Sequence, residues 1–106
     1  MVFVSGIVGW DSAGQFQSDD LAEQVRQALQ NVLAVLSEAS AEAQHIVRMN
    51  WYVVDKKEYV NARKEIGVVY RQIIRSHYPA MTAIEVSALI EDRARVEIEV
   101  TAVVPD

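Results

Sequence analysis

The sequence contains no cysteine, which excludes a disulfide framework, thiolate catalysis and a Cys-ligated metal site. It contains no apolar run long enough for a bilayer crossing. Its start, Met1-Val2-Phe3-Val4, has neither the positive flank nor the length of a signal peptide. The expectation is a cytoplasmic protein with no membrane partner. Clustered basic residues are also missing: the 10 Lys and Arg are scattered among 15 Asp and Glu, for a net charge of -5. Non-specific nucleic-acid binding needs clustered cations that release counterions, so nucleic acid is not an expected partner. There is no repeat, linker or low-complexity segment. What the chain does have is 106 residues, 51% of them apolar, enough for a single domain over 1–106 with one core.

Periodicity places the elements. Val2 to Val8 reads as a strand, and Ser5-Gly6 inside it predicts a bulge or a close backbone approach. Trp10 to Gly14 is a turn or loop. Ser18-Asp19-Asp20 supplies an oxygen-bearing helix cap. From Asp20 to Ser37, Leu21, Val25, Ala28, Leu29, Val32 and Leu36 recur at helical spacing and form an apolar stripe. A helix of this length needs something to lay that stripe on. Residues 39–42 are a short connection.

His45 to Val54 is a second strand, with Val47, Met49, Trp51 and Val53 expected on its apolar face. Asp55 is the expected cap of a second helix that runs to about Arg75, with Tyr59, Ala62, Ile66, Val69, Tyr70 and Ile73 as its stripe. Gly67 within it is expected to mark close packing of helix on sheet. Pro79 forces the chain out of helical angles at Tyr78. Two strands follow, Met81 to Ala88 and Ala94 to Val104, joined by a turn at Glu91-Asp92-Arg93. In the last strand Val96, Ile98, Val100 and Ala102 alternate with Glu97, Glu99 and Thr101, the period of a strand with two unlike faces.

The order strand, helix, strand, helix, strand, strand predicts an α+β fold, one sheet with two helices on one face. The other face mixes Glu, Arg and Asn with branched apolar residues. So large a half-apolar surface on a small domain predicts association with further copies of the chain.

Several stretches taken in order resemble one family. They are Val4-Ser5-Gly6, Gln24 to Ala34 (QVRQALQNVLA), Ile46 to Asp55 (IVRMNWYVVD), Tyr78-Pro79-Ala80, Thr82 to Val86, and Val96 to Ala102 (VEIEVTA). Together they resemble the Rid (YjgF) family of enamine/imine deaminases over nearly the whole chain. The resemblance implies a chorismate-mutase-like fold and a homotrimer, with a small-molecule ligand bound in clefts between subunits. It implies hydrolysis of an imine or enamine such as 2-aminoacrylate to a carbonyl compound and ammonia, with no metal and no organic cofactor. In that chemistry an arginine fork grips the substrate carboxylate, and a carboxylate holds the attacking water.

Carried over residue by residue, the family's water-activating glutamate falls on Glu97. Its clamp arginine falls on Met81, whose thioether has neither charge nor donor. The glutamine usual after Ser-Gly is Ile7, and a family asparagine falls on Arg63. The segment that lines the cleft amino-terminally in many relatives is expected to be absent. The resemblance thus implies an atypical member, with Glu97 catalytic and with Gly6, Ile7, Tyr78, Ala80 and Met81 around the substrate. Its substrate is expected to differ from 2-aminoacrylate. The alternative is a non-catalytic trimer that binds a small metabolite or a protein. Ribonuclease activity, described for some relatives, ranks third, because the sequence offers no His pair or basic groove for it.

Each residue also has a plainer role open to it. Glu97 either activates water or forms a cross-strand ion pair with Arg48 or Arg95. Glu85 and Glu99 are read as structural. Arg63, Arg75 and His77 are candidates for a replacement cation, against surface charge at a helix end. Trp10 and Tyr78 either wall a cleft or simply pack, His45 is a strand-edge residue with no ligating partner nearby, and Trp51 is expected in the core.

Overall fold

The first helix, α1, forms over Leu21–Glu38, and the Asp20 carboxylate caps it by accepting from the Glu23 amide. Its six predicted stripe residues are all 2% exposed or less. Each Leu and Val among them contributes about 1.5–3 kcal/mol of transfer free energy. The surface they cover is a four-stranded sheet, in a computed structural model that describes residues 1–105. The strands are β1 (Val2–Val8), β2 (Ile46–Val53), β3 (Ala80–Glu85) and β4 (Val96–Ala102), in the order β1-β4-β2-β3. β4 runs antiparallel to both β1 and β2, whereas β2 and β3 are parallel. Parallel neighbours need a crossover, and the second helix, α2 (Lys56–Ile73), provides it. Asp55 caps α2 through the amides of Lys57 and Glu58. Both helices lie on one face of the sheet, against Met49, Trp51, Ile98 and Val100. The other face is open.

The predicted faces hold along β4 but break in β2. A bulge between Ile46 and Arg48 inserts one extra residue opposite β4. Because the side-chain period is two, that insertion reverses the phase upstream of it. Ile46 is therefore 1% exposed and Val47 47% exposed, the reverse of the expectation. The connection after α1 also holds a short 3-10 helix, Ala43–His45, which was not expected. β3 ends at Glu85, short of the predicted Ala88, and all its residues are exposed. It is the edge strand, and α2 covers it incompletely.

Gln24 is a polar residue at 1% exposure next to the α1 stripe. Its Nε2 donates to the carbonyls of Ser18 (2.9 Å) and Arg93 (3.0 Å), and its Oε1 accepts from the Arg95 amide (2.8 Å). One side chain thus ties the loop before α1 to the β3–β4 loop. Asn31 does similar work at the end of β1, donating to the carbonyls of Val8 and Trp10.

Beyond α1, Ser40 adopts φ 58°, and the Ala41 amide reaches back to the Leu36 carbonyl at 2.9 Å. This left-handed stop is cheapest for glycine. Ser40→Gly is expected to stabilise the fold by about 0.5–1 kcal/mol, the strain relieved less the unfolded-chain entropy gained. Urea unfolding should show a higher midpoint at an unchanged slope. A lower midpoint would mean that Ser40 is unstrained.

Candidate functional site

Glu97 lies on the open face of β4, opposite Tyr52 of β2. The predicted irregularity at Ser5-Gly6 is a register shift between Val4 and Ile7. It brings Gly6 against the Glu97 side chain. A Cβ built on Gly6 would overlap Glu97 Oε2 and lie 2.6 Å from Cδ, so only glycine leaves room for the carboxylate there. Ile7 is half-buried next along β1, in register with Ile98.

Neither ion pair considered for Glu97 forms. Arg95 is held by Glu58, its Nε lying 2.8 and 2.7 Å from the two carboxylate oxygens, and that contact raises the Arg95 pKa. Arg48 pairs across from Thr101. Along β2 it is four residues from Tyr52, about 13 Å, too far to reach Glu97. Among the described residues, Glu97 has no ion-pair partner and no side-chain hydrogen bond.

The other two strand carboxylates considered, Glu99 beside Glu97 and Glu85 on β3, are already engaged. Glu99 Oε1 accepts from Asn50 Nδ2 (3.0 Å) and from the Tyr52 hydroxyl (2.6 Å). That hydrogen bond, with some burial and the charges of Glu99 and Glu97, raises the Tyr52 pKa and keeps the phenol a donor. Glu85 accepts from the Lys56 amide (2.7 Å) at the start of α2. Tyr52, Leu89, Ile90, Glu97 and Glu99 wall a shallow cleft of about 340 Å³ on the open face. In it, Glu97 is the carboxylate left free to hold a water.

Met81 is elsewhere. Its register partner is Met49, which faces the helices, whereas the partner of Glu97 is Tyr52, which faces away. The sheet therefore separates the two residues within one chain. Met81 lines a groove of about 310 Å³ between α2 and β3, with Trp51, Tyr59, Gly67 and Tyr70 among its other walls. Tyr78 stacks on Tyr70 at 5.6 Å between centroids and is 66% exposed at the groove. The Tyr70 hydroxyl donates to the His77 carbonyl (2.7 Å), and its pKa is pushed up to about 12 by burial and by Tyr78. Ala80 is exposed and paired with Arg48 on the open side.

Gly67 is not a point of close packing: a Cβ there would meet only Arg71 Nη1, at 3.4 Å. Arg63 and Arg71 both line the groove. Arg75 and His77 line neither cavity. Arg75 is exposed past the helix end with φ 73°, and His77 Nε2 donates to the Ile46 carbonyl at 2.7 Å. Trp10 packs at a tilt on Phe16, 5.8 Å between centroids. His45 Nδ1 accepts from the Glu42 amide at 2.9 Å, and no group of metal-ligating side chains occurs among the described residues. Trp51 is core, at 1% exposure. Sequence reasoning passed over Arg71. The available signal was the four-residue recurrence of Arg63, Gly67 and Arg71, which puts them on one helix face.

The family described as Endoribonuclease L-PSP matches residues 1–104. The chain belongs to this family, the YjgF/Rid family. Among its relatives is human 2-iminobutanoate/2-iminopropanoate deaminase, 32% identical over 103 residues, which span 96% of this chain and 72% of the human protein. The bovine protein of the same name is 34% identical over the same shares. Solved structures of family members have the same architecture. Escherichia coli TdcF with bound serine superposes with a TM-score of 0.82 at 29% identity, over 97% of this chain and 80% of that one. The Mycobacterium tuberculosis member of the YjgF/YER057c/UK114 family superposes at 0.77 with 33% identity, over 96% and 77%. The sequence-level assignment to the Rid family and to an α+β fold is therefore correct.

Proposed function

We propose that this Rid-family chain is a cytoplasmic hydrolytic deaminase that converts a reactive imine or enamine to a carbonyl compound and ammonia. The observation that carries the reading is Glu97, an unpartnered carboxylate seated over Gly6 beside a cleft. The names of the human and bovine relatives support the reaction class. A water held by Glu97 gives up a proton to the carboxylate as its oxygen bonds to the imine carbon. The imine nitrogen takes a proton, giving a carbinolamine. Collapse of that adduct forms the carbonyl, breaks the C–N bond and releases ammonia. The sequence calls on no cofactor for this.

The working unit in this reading is a chorismate-mutase-like homotrimer. Phe3 and Ile90 are 74% and 92% exposed, Ile84 is 48% exposed opposite Tyr52, and β3 is an unpaired edge. Association covers such a surface and lets Met81 of one subunit face Glu97 of the next. Because Met81 stands at the resemblance's clamp position, the substrate differs from 2-aminoacrylate. Two measurements test this reading. Sedimentation at micromolar concentration is expected to give a trimer, and a panel of imines generated in situ is expected to release ammonia. A well-folded monomer would end the shared-pocket picture. A trimer inert toward every imine would favour the second reading, a metabolite-binding module, to which the apolar groove at Met81 is suited.

A further inference from the structure

The groove between α2 and β3 has an unusual make-up for a protein of net charge -5: its lining includes Arg63 and Arg71 and not one acidic residue. Neither arginine is in an ion pair among the described residues. Arg71 Nη1 lies 3.4 Å from where a Gly67 Cβ would be, so the missing side chain makes room for a guanidinium at the groove. Arg63 acts on the same space, its charge opposing the burial that raises the Tyr59 pKa. The remaining walls are apolar and aromatic: Trp51, Ile66, the stacked pair Tyr70 and Tyr78, and Met81. Trp51 is 1% exposed, and its indole Nε1 is buried without a hydrogen-bond partner.

We propose that this groove binds a 2-oxo or 2-imino acid with an aromatic side chain. Arg71 and Arg63 take the carboxylate, and Trp51, Tyr70, Tyr78 and Met81 hold the ring. Guanidinium donors match a carboxylate in charge and geometry, and thioether and aromatic walls favour an aryl body. A volume of about 310 Å³ is at the small end of ligand sites and suits a molecule of that size. The replacement for the missing clamp is thus on α2 and not at Arg75 or His77. That the bound acid is substrate or product rests on the deaminase reading, whereas the binding does not.

Phenylpyruvate is the probe, titrated calorimetrically against the full chain. It is expected to bind at least about tenfold more tightly than phenylacetone, which lacks the carboxylate, and than pyruvate, which lacks the ring. Arg71→Gln and Arg63→Gln should each weaken it by about fivefold or more, with the loss shrinking at high salt. Arg75→Gln, outside the groove, should change nothing, and Gly67→Leu should abolish binding by filling the space. Glu97→Gln should keep phenylpyruvate binding even where ammonia release is lost, so the two readings fail separately. Equal affinity for phenylacetone, no binding at millimolar concentration, or indifference to both arginine substitutions would overturn the proposal. So would loss of the trimer in Gly67→Leu without any phenylpyruvate binding to the parent, since the groove would then belong to a second copy.

Discussion

Glu97→Gln is expected to lower kcat for imine hydrolysis by about 10²–10⁴-fold, the usual worth of a positioned proton acceptor. Glutamine keeps the length and planar end of the side chain, so it can still lie over Gly6, where the space admits no extra atom on the glycine. What it loses is the ability to take the proton from water. KM and the urea midpoint should therefore hardly move, which separates lost chemistry from lost structure. Gly6→Ala approaches the same site from the other side. Its methyl group must displace the carboxylate, and a smaller but clear fall in kcat should follow with Glu97 itself intact. Glu99→Gln makes a useful contrast. Glu99 already accepts from Asn50 and Tyr52, so its loss should show mainly in stability. If Glu97→Gln turns over imines as fast as the parent chain, the water-activating role is wrong.

Gln24→Leu should destabilise the fold by about 3–5 kcal/mol. Leucine nearly preserves the volume, so packing is not the issue. The substitution leaves the Arg95 amide and the carbonyls of Ser18 and Arg93 without their partner. Each buried polar group left unpaired costs about 1–3 kcal/mol, and the sum falls short of additive because water reaches some of them. Against a total stability of about 5–15 kcal/mol the loss is large. Urea unfolding gives its size, and amide exchange at Arg95 gives its place. Gln24→Glu discriminates further, because a carboxylate still accepts from the Arg95 amide but donates to neither carbonyl. A change under about 1 kcal/mol for Gln24→Leu would mean that solvent replaces the side chain at little cost.

The α1 stripe and the β4 alternation were legible because period alone decides which side of an element is buried. The bulge at Ser5-Gly6 was legible too, since glycine in a strand has few other uses. The bulge in β2 was not: Ile46-Val47 reads equally well in either phase, and only pairing with β4 chooses. Gln24 carries no local sign of its role. Its partners lie six, 69 and 71 residues away, and a glutamine beside an apolar stripe is ordinarily solvated. Gly67 was misread for a related reason. A helical glycine can mark a close contact or an opening, and what stands opposite is a tertiary fact.

By itself the sequence determined the class of fold, through element order and period, and the family, through its resemblance over nearly the whole chain; that resemblance, and not the pattern, singled out Glu97. The tertiary structure alone decided that Glu97 is free while Glu85 and Glu99 are occupied. It also put Met81 on the opposite face of the sheet and gathered Arg63 and Arg71 into one apolar groove. For Arg63 and Arg71, already on one helix face by spacing, the reason is what α2 packs beside; for the strand residues it is register. A one-residue difference in pairing moves a side chain through the sheet, and register is fixed by contacts between segments far apart in the chain.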